Sequence, residues 1–271
     1  MPNINYDYIE DYLRDLKDLK DEKLREMMDY AEENHVPIVE RESEEFINFL
    51  LAMHKPKRIL ELGTAIGYSS ISFAKRNKCI EKIDSVELKE EMVEIARRNI
   101  LEVGLEDRIK VHHSDAYDFL LDLDEKYDFI FIDAAKGQYE KYFDEALKNL
   151  NEGGIILCDN VLFKGMIAED SLVKRRKITI VKRLRKFLKD ISSDERFDSS
   201  VIPIGDGILL VRRKDEEDSG ISYEESDHGS AGRSPGYGCV TEQFGNYRYG
   251  HRLCKCRTDE SATGDFRYLW C

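Results

Sequence analysis

Apolar residues recur first at helical and then at strand spacing along this chain. Ile9, Leu13, Leu16 and Leu19 repeat three to four residues apart, which predicts a helix over 5–20. Further helices are predicted near 22–34 and 41–54, separated by "HVPIVE" (35–40), where Pro37 marks a boundary. From residue 58 short apolar runs alternate with amphipathic stretches. Strands read at 58–62, 82–87, 108–112, 127–133 and 153–159, and helices at 68–76, 89–103, 115–121 and 138–149. Such alternation predicts an α/β fold with a parallel sheet covered by helices on both faces. The run at 127–133 is almost continuously apolar, as a strand buried on both sides requires.

The pattern changes after residue 160. A basic amphipathic helix is predicted over 172–190, with Val181, Leu184 and Leu188 as its apolar stripe. Two strands follow, 199–204 and 208–213, and Asp206-Gly207 suits a tight hairpin turn with positive φ. The expected sheet thus has seven strands, mostly parallel, with an antiparallel C-terminal hairpin. Residues 1–213 read as one domain. Residues 214–271 are polar and rich in Gly and Ser, and read as a disordered, cysteine-containing tail. Its Cys239, Cys254, Cys256 and Cys271 lack the paired Cys-x₂-Cys spacing of a zinc site.

Charge adds one local feature. The net charge of −13 gives no global attraction to nucleic acid, yet residues 164–189 hold ten Lys/Arg against Glu169 and Asp170. The acidic N-terminus does not read as a signal peptide, and no apolar run reaches the ~20 residues of a membrane span. No membrane association is expected, and the expected compartment is the cytoplasm. Cys79 and Cys158, in apolar surroundings, read as buried thiols.

The candidate chemistry lies at strand ends. Glu87, Asp133 and Asp159 each close an apolar run, and in a parallel sheet those ends share the edge where ligands bind. Neighbouring strands are only ~4.8 Å apart, so Asp133 and Asp159 should converge and need a cation or a proton. With the amide oxygen of Asn160 they form a hard oxygen set suited to Mg²⁺. Upstream, "GTAIG" (63–67) puts Gly63 and Gly67 between a strand and a helix, where backbone can approach a ligand. It is neither Gly-x-Gly-x-x-Gly nor a P-loop, which favours a nucleoside without pyrophosphate. Glu87, at a strand end 24 residues after Gly63, suits the ribose hydroxyls, and Asp115-Ala116 the adenine. His112 and His113 show no ligand spacing and read as structural or exposed.

The motifs "ELGTAIGYSS", "SVEL", "FIDAAKGQY", "CDN" and "PIGDGILLVRR" resemble those of the S-adenosylmethionine-dependent O-methyltransferases of the catechol and caffeoyl-CoA type. "HVPIVE" and "DNVLFKGMIAED", followed by a Lys/Arg run, are similar to the bacterial tRNA 5-hydroxyuridine methyltransferases. The resemblance spans about residues 30–213 and implies a Rossmann-like class I methyltransferase fold. It implies cofactor contacts from Val39, Gly63, Ser69, Glu87, Ala116 and Asp133, and a Mg²⁺ held by Asp133, Asp159 and Asn160. The family's Pro-Ile-Met reads Pro37-Ile38-Val39 here. Lys136 is implied as a catalytic residue beside Asp133, and a homodimer through the N-terminal helices. Lys174, Arg175, Arg176, Lys177 and Arg183 would then contact the phosphates of a tRNA anticodon loop. A catechol-like small-molecule substrate, and a cofactor-binding protein without turnover, are the alternatives; the intact acid set argues against the second.

Overall fold

The computed structural model describes residues 4–16 and 18–214, and the backbone of 253–256 and 267–270. Two compact units divide the chain at Ser222–Tyr223. In the first, three helices, α1 (Asp7–Asp15), α2 (Glu22–Glu33) and α3 (Arg41–His54), precede the sheet. Then β1 (Arg58–Leu62), α4 (Tyr68–Arg76), β2 (Lys82–Glu87), α5 (Glu90–Glu102), β3 (Ile109–His113) and α6 (Ala116–Leu121) alternate. They are followed by β4 (Tyr127–Ile132), α7 (Tyr139–Lys148), β5 (Leu150–Cys158), α8 (Ile178–Ser193), β6 (Phe197–Ile202) and β7 (Ile208–Arg213).

The strands form one seven-stranded sheet in the order β3-β2-β1-β4-β5-β7-β6. The first five are mutually parallel, while β7 runs antiparallel to both β5 and β6. Successive side chains of a strand face opposite ways, so one strand feeds two cores. In β4, Phe129 and Phe131 join the core under α2–α5, whereas Ile130 and Ile132 join the core under α6–α8. This double burial accounts for the unbroken apolar run. The chain order reverses direction across the sheet between β1 and β4, and a crevice opens at their C-terminal ends.

Several boundaries differ from the sequence reading; β5 begins at Leu150 and β6 at Phe197, earlier than expected. The basic helix begins at Ile178 rather than at 172, because its buried stripe begins only with Val181, Leu184, Phe187 and Ile191. Upstream, the chain forms short 3₁₀ turns at Asp170–Leu172 and Arg175–Lys177. Lys174, Arg175, Arg176 and Lys177 therefore precede the helix, and only Arg183 lies on it. The connection between β6 and β7 is longer than a two-residue turn, and its positive φ values fall on Gly205 and Gly207, not on Asp206. Finally, α1 ends at Asp15, although the apolar repeat runs on through Leu16 and Leu19.

In the second unit, β8 (Leu253–Cys256) and β9 (Arg267–Trp270) form an antiparallel pair, Leu253 opposite Trp270. Part of the segment expected to be disordered is thus strand. The rest of it, with Cys239 and Cys271, lies outside the described residues. No described helix is long and apolar enough to cross a membrane.

Candidate active site

Backbone hydrogen bonds carry the sheet one residue past its strands and align the candidate residues. Gly63 N donates to Val86 O (2.9 Å), Asp133 N to Leu62 O (2.9 Å) and Asp159 N to Ile132 O (3.0 Å). The ends of β2, β1, β4 and β5 are thereby held in one row. Gly63 has φ +109°, and a Cβ built there would lie 2.1 Å from the carbonyl oxygen of Asp133. Only glycine allows this crossing, so the turn after β1 and the acid after β4 are pressed together.

A cavity of about 510 Å³ opens over this row. Val39, Gly63, Ser69, Glu87, Asp133 and Asn160 all line it, as does Lys136. Asp115 and Ala116 do not belong to this lining. They follow β3, two strands from β1, and the Asp115 carboxylate caps α6, accepting from Tyr117 N (2.8 Å) and Asp118 N (3.3 Å). An acid after a strand is as readily a helix cap as a ligand group, and here it caps.

Glu87 has a double task. Its carboxylate accepts from Ala65 N in the glycine turn and from Lys89 N, both at 2.9 Å. Each oxygen keeps a free lone pair, so the same group both shapes the turn and can accept from a ligand hydroxyl. Beneath the turn lies Glu61, which is fully buried and receives hydrogen bonds from the hydroxyls of Ser69, Ser70 and Ser85. Burial pushes its carboxyl up to about 7, against the pull of the three serines. Sequence reading missed this hub, although an acid inside the apolar "RILEL" is a sign of a satisfied buried carboxyl.

Asp159 is 1% exposed, and the Tyr139 hydroxyl donates to its backbone oxygen (2.8 Å), fixing the end of β5. Its Oδ1 accepts from Asn160 N (2.6 Å), and Asn160 adopts a left-handed φ of 55° that asparagine tolerates. Asp133 is partly open to the cavity. Loss of water, followed by the charge of Asp133, raises the Asp159 carboxyl above its ordinary range. Asp133 is raised as well, by loss of water that its neighbour Lys136 only partly offsets. The Lys136 ammonium donates to Asn160 Oδ1 (2.7 Å) and stands 3.8 Å from Asp133 Oδ1. Two acids served by one ammonium leave a deficit of positive charge at a cluster of oxygen donors. That deficit fits a divalent, oxygen-seeking ion. Among the described residues no group of three His, Cys, Asp or Glu could hold a metal ion, so an ion at Asp133 and Asp159 would need the amide oxygen of Asn160 as its third donor.

The basic segment borders the same cavity. Phe163 and Lys164 line it, and the Lys177 ammonium lies 5.6 Å above the Phe163 ring. Arg183 donates to Gly137 O (3.1 Å), one residue after Lys136. Lys174, Arg175 and Arg176 are exposed. The two histidines are structural or exposed as expected. His112 pairs with Asp84 (2.8 Å) and His113 with Leu88 O (3.0 Å).

Known proteins resemble this chain in sequence and in fold. The profile of the O-methyltransferase family matches residues 14–214. A caffeoyl-CoA O-methyltransferase of Populus kitakamiensis is 34% identical over 175 residues, covering 62% of this chain and 74% of that protein. A methyltransferase of Podospora anserina bound to S-adenosylhomocysteine superposes with a TM-score of 0.70 at 27% identity, over 77% of this chain and 95% of that one. An O-methyltransferase of Bacillus cereus, also in complex with S-adenosylhomocysteine, gives 0.67 at 29% identity, over 76% and 97%. The chain belongs to the O-methyltransferase family, as an S-adenosylmethionine-dependent enzyme of the caffeoyl-CoA type.

Proposed function

We propose that the enzyme transfers the methyl group of S-adenosylmethionine to the 5-hydroxyl of 5-hydroxyuridine in a tRNA anticodon loop, giving 5-methoxyuridine in the cytoplasm. The observation that carries the choice of substrate is the position of the basic segment. Lys164 lines the cavity, Lys177 sits over a lining ring, and Arg183 is tied to the turn that holds Lys136. A strand of RNA whose phosphates met Arg175 and Arg176 would have a splayed base within reach of Asp133.

In this reading Glu87 accepts from the ribose of the cofactor. Gly63 lets the glycine turn lie close to it, and Val39 and Ser69 close the cavity. Asp133, Asp159 and Asn160 would hold a Mg²⁺, which when bound lowers the pKa of the substrate hydroxyl and orients it. Lys136 stands beside that oxygen set, and its ammonium can stabilise the oxyanion left when the substrate hydroxyl loses its proton. The rest of the rate enhancement is positioning, since the methyl transfer needs donor and acceptor in line at near-attack distance. We further propose a homodimer through α1, whose Tyr8 and Tyr12 are 67% and 63% exposed.

A second reading has its own support: the Populus kitakamiensis relative named above is a caffeoyl-CoA O-methyltransferase, which favours a catechol-like small molecule. The discriminating experiment compares kcat/KM for a hydroxyuridine-bearing anticodon stem–loop with that for a catechol. The proposal expects the RNA to be preferred and its KM to rise steeply with salt. Preference for the catechol, with no salt dependence, would select the second reading.

A further inference from the structure

Lys136 occupies an unusual place for a lysine. Its ammonium is engaged by the two oxygens that the Mg²⁺ reading assigns to the ion, Asn160 Oδ1 at 2.7 Å and Asp133 Oδ1 at 3.8 Å. A divalent ion and an ammonium seek the same lone pairs, and like charges this close repel. We propose that Lys136 is the resident counter-cation of the Asp133–Asp159–Asn160 set, and that Mg²⁺ displaces its ammonium from Asn160 into the substrate cavity.

The surroundings of Lys136 are built for such an exchange. It opens a short 3₁₀ turn, Lys136–Gln138, whose backbone is held from outside by Arg183 at Gly137 O. The backbone can therefore stay while the side chain turns. That side chain is 24% exposed and already borders the cavity. Three further carboxyls line the same cavity, those of Glu40, Glu87 and Asp206. Glu40 has a buried Oε2 without a hydrogen-bond partner, and Asp206 already feels the charge of Lys136. A freed ammonium thus moves within negative surroundings and need not enter an apolar wall.

One side chain then serves two states. Without metal it neutralises part of a buried acid pair that would otherwise repel. With metal it is delivered to the cavity, beside the place where the substrate oxygen binds. Lys136 is in this sense a gate on metal affinity, because binding must break its hydrogen bond to Asn160. The inference rests on the Mg²⁺ reading above.

The test uses the full chain and two readouts other than turnover. Amine labelling followed by mass spectrometry measures the reactivity of each lysine with and without Mg²⁺. The expected result is a severalfold rise at Lys136 on Mg²⁺ addition, with Lys110, exposed on β3, unchanged. Calorimetry then compares Mg²⁺ affinity in wild type and Lys136→Met. The variant should bind at least roughly tenfold tighter, the effect of removing a like charge about 4 Å away. Wild type that binds Mg²⁺ while Lys136 labelling stays flat or falls would overturn the proposal. So would a variant that binds Mg²⁺ no more tightly. If wild type binds no Mg²⁺ at all, the metal reading fails first and this inference falls with it.

Discussion

Replacing Gly63 by alanine tests whether the crossing of the glycine turn and β4 builds the cofactor site. The added Cβ would start 2.1 Å from the Asp133 carbonyl oxygen and 2.8 Å from its carbon, both backbone atoms with no side-chain freedom. Reaching ordinary contact near 3.4 Å requires a shift of roughly 1.3 Å at the end of β4. Overpacking of this kind costs about 1–3 kcal/mol. The φ of +109° adds strain of about 1–3 kcal/mol for any residue with a Cβ. Gly104→Ala is the matched control: φ is also positive, at +64°, but nothing lies within 4 Å of the added Cβ. Urea denaturation should therefore show Gly63→Ala losing about 1–3 kcal/mol more than Gly104→Ala. The misplacement of Asp133 should also cut methyl transfer on the order of 100-fold, since an ångström at the reacting centre suffices. Equal destabilisation by the two substitutions, with activity retained in Gly63→Ala, would refute the reasoning.

Three further outcomes follow from the same geometry. Asp159→Asn keeps an acceptor for Asn160 N but removes a buried charge. The Asp159 carboxyl is raised in the folded state by burial and by Asp133, so it contributes stability present at acid pH and lost as pH rises above the ordinary carboxylate range. The metal-free melting temperature of wild type should fall from acid toward neutral pH more than that of Asp159→Asn, whose response to Mg²⁺ should vanish; parallel pH profiles would count against the pair. Glu87→Ala removes an acceptor for the cofactor and two hydrogen bonds that shape the turn, so calorimetry with S-adenosylhomocysteine should show about 1–3 kcal/mol weaker binding. Unchanged affinity would mean that the carboxylate serves the turn alone. Reversing charge at Arg175 and Arg176 should weaken tRNA binding and flatten its salt dependence while leaving cofactor affinity intact; Arg183 is spared because it also holds Gly137.

The centre of the sheet was legible because β1 and β4 are buried on both faces and therefore written as short apolar runs, and the acids at the strand ends announce the edge where ligands bind. Asp133, Asp159 and Asn160 fall together because β4 and β5 are neighbours, paired Ile132 to Cys158. Periodicity reads the apolar stripe of α8 but not where its first turn begins, since "VKRRK" has no buried residue to fix its conformation. Asp115 sits where a helix cap and a ligand group are written alike in sequence, and its Oδ1 serves as the cap of α6. Glu61, Glu40 and Asp206 were invisible as a group. Glu40 and Asp206 meet at one cavity from distant parts of the chain, Glu61 lies buried beneath its glycine turn, and no local spacing encodes these positions.

The central claim, O-methyl transfer to a tRNA base at the Asp133–Asp159 edge, is tested most directly by isotope-labelled nucleoside analysis. Hydroxyuridine-containing tRNA is incubated with the enzyme, Mg²⁺ and S-adenosylmethionine carrying a deuterated methyl group, then digested and examined by mass spectrometry. The account predicts deuterated 5-methoxyuridine from the anticodon loop with wild type, and none with Asp159→Ala. Hydroxyuridine recovered unmethylated, while a free catechol acquires the label under the same conditions, would contradict it.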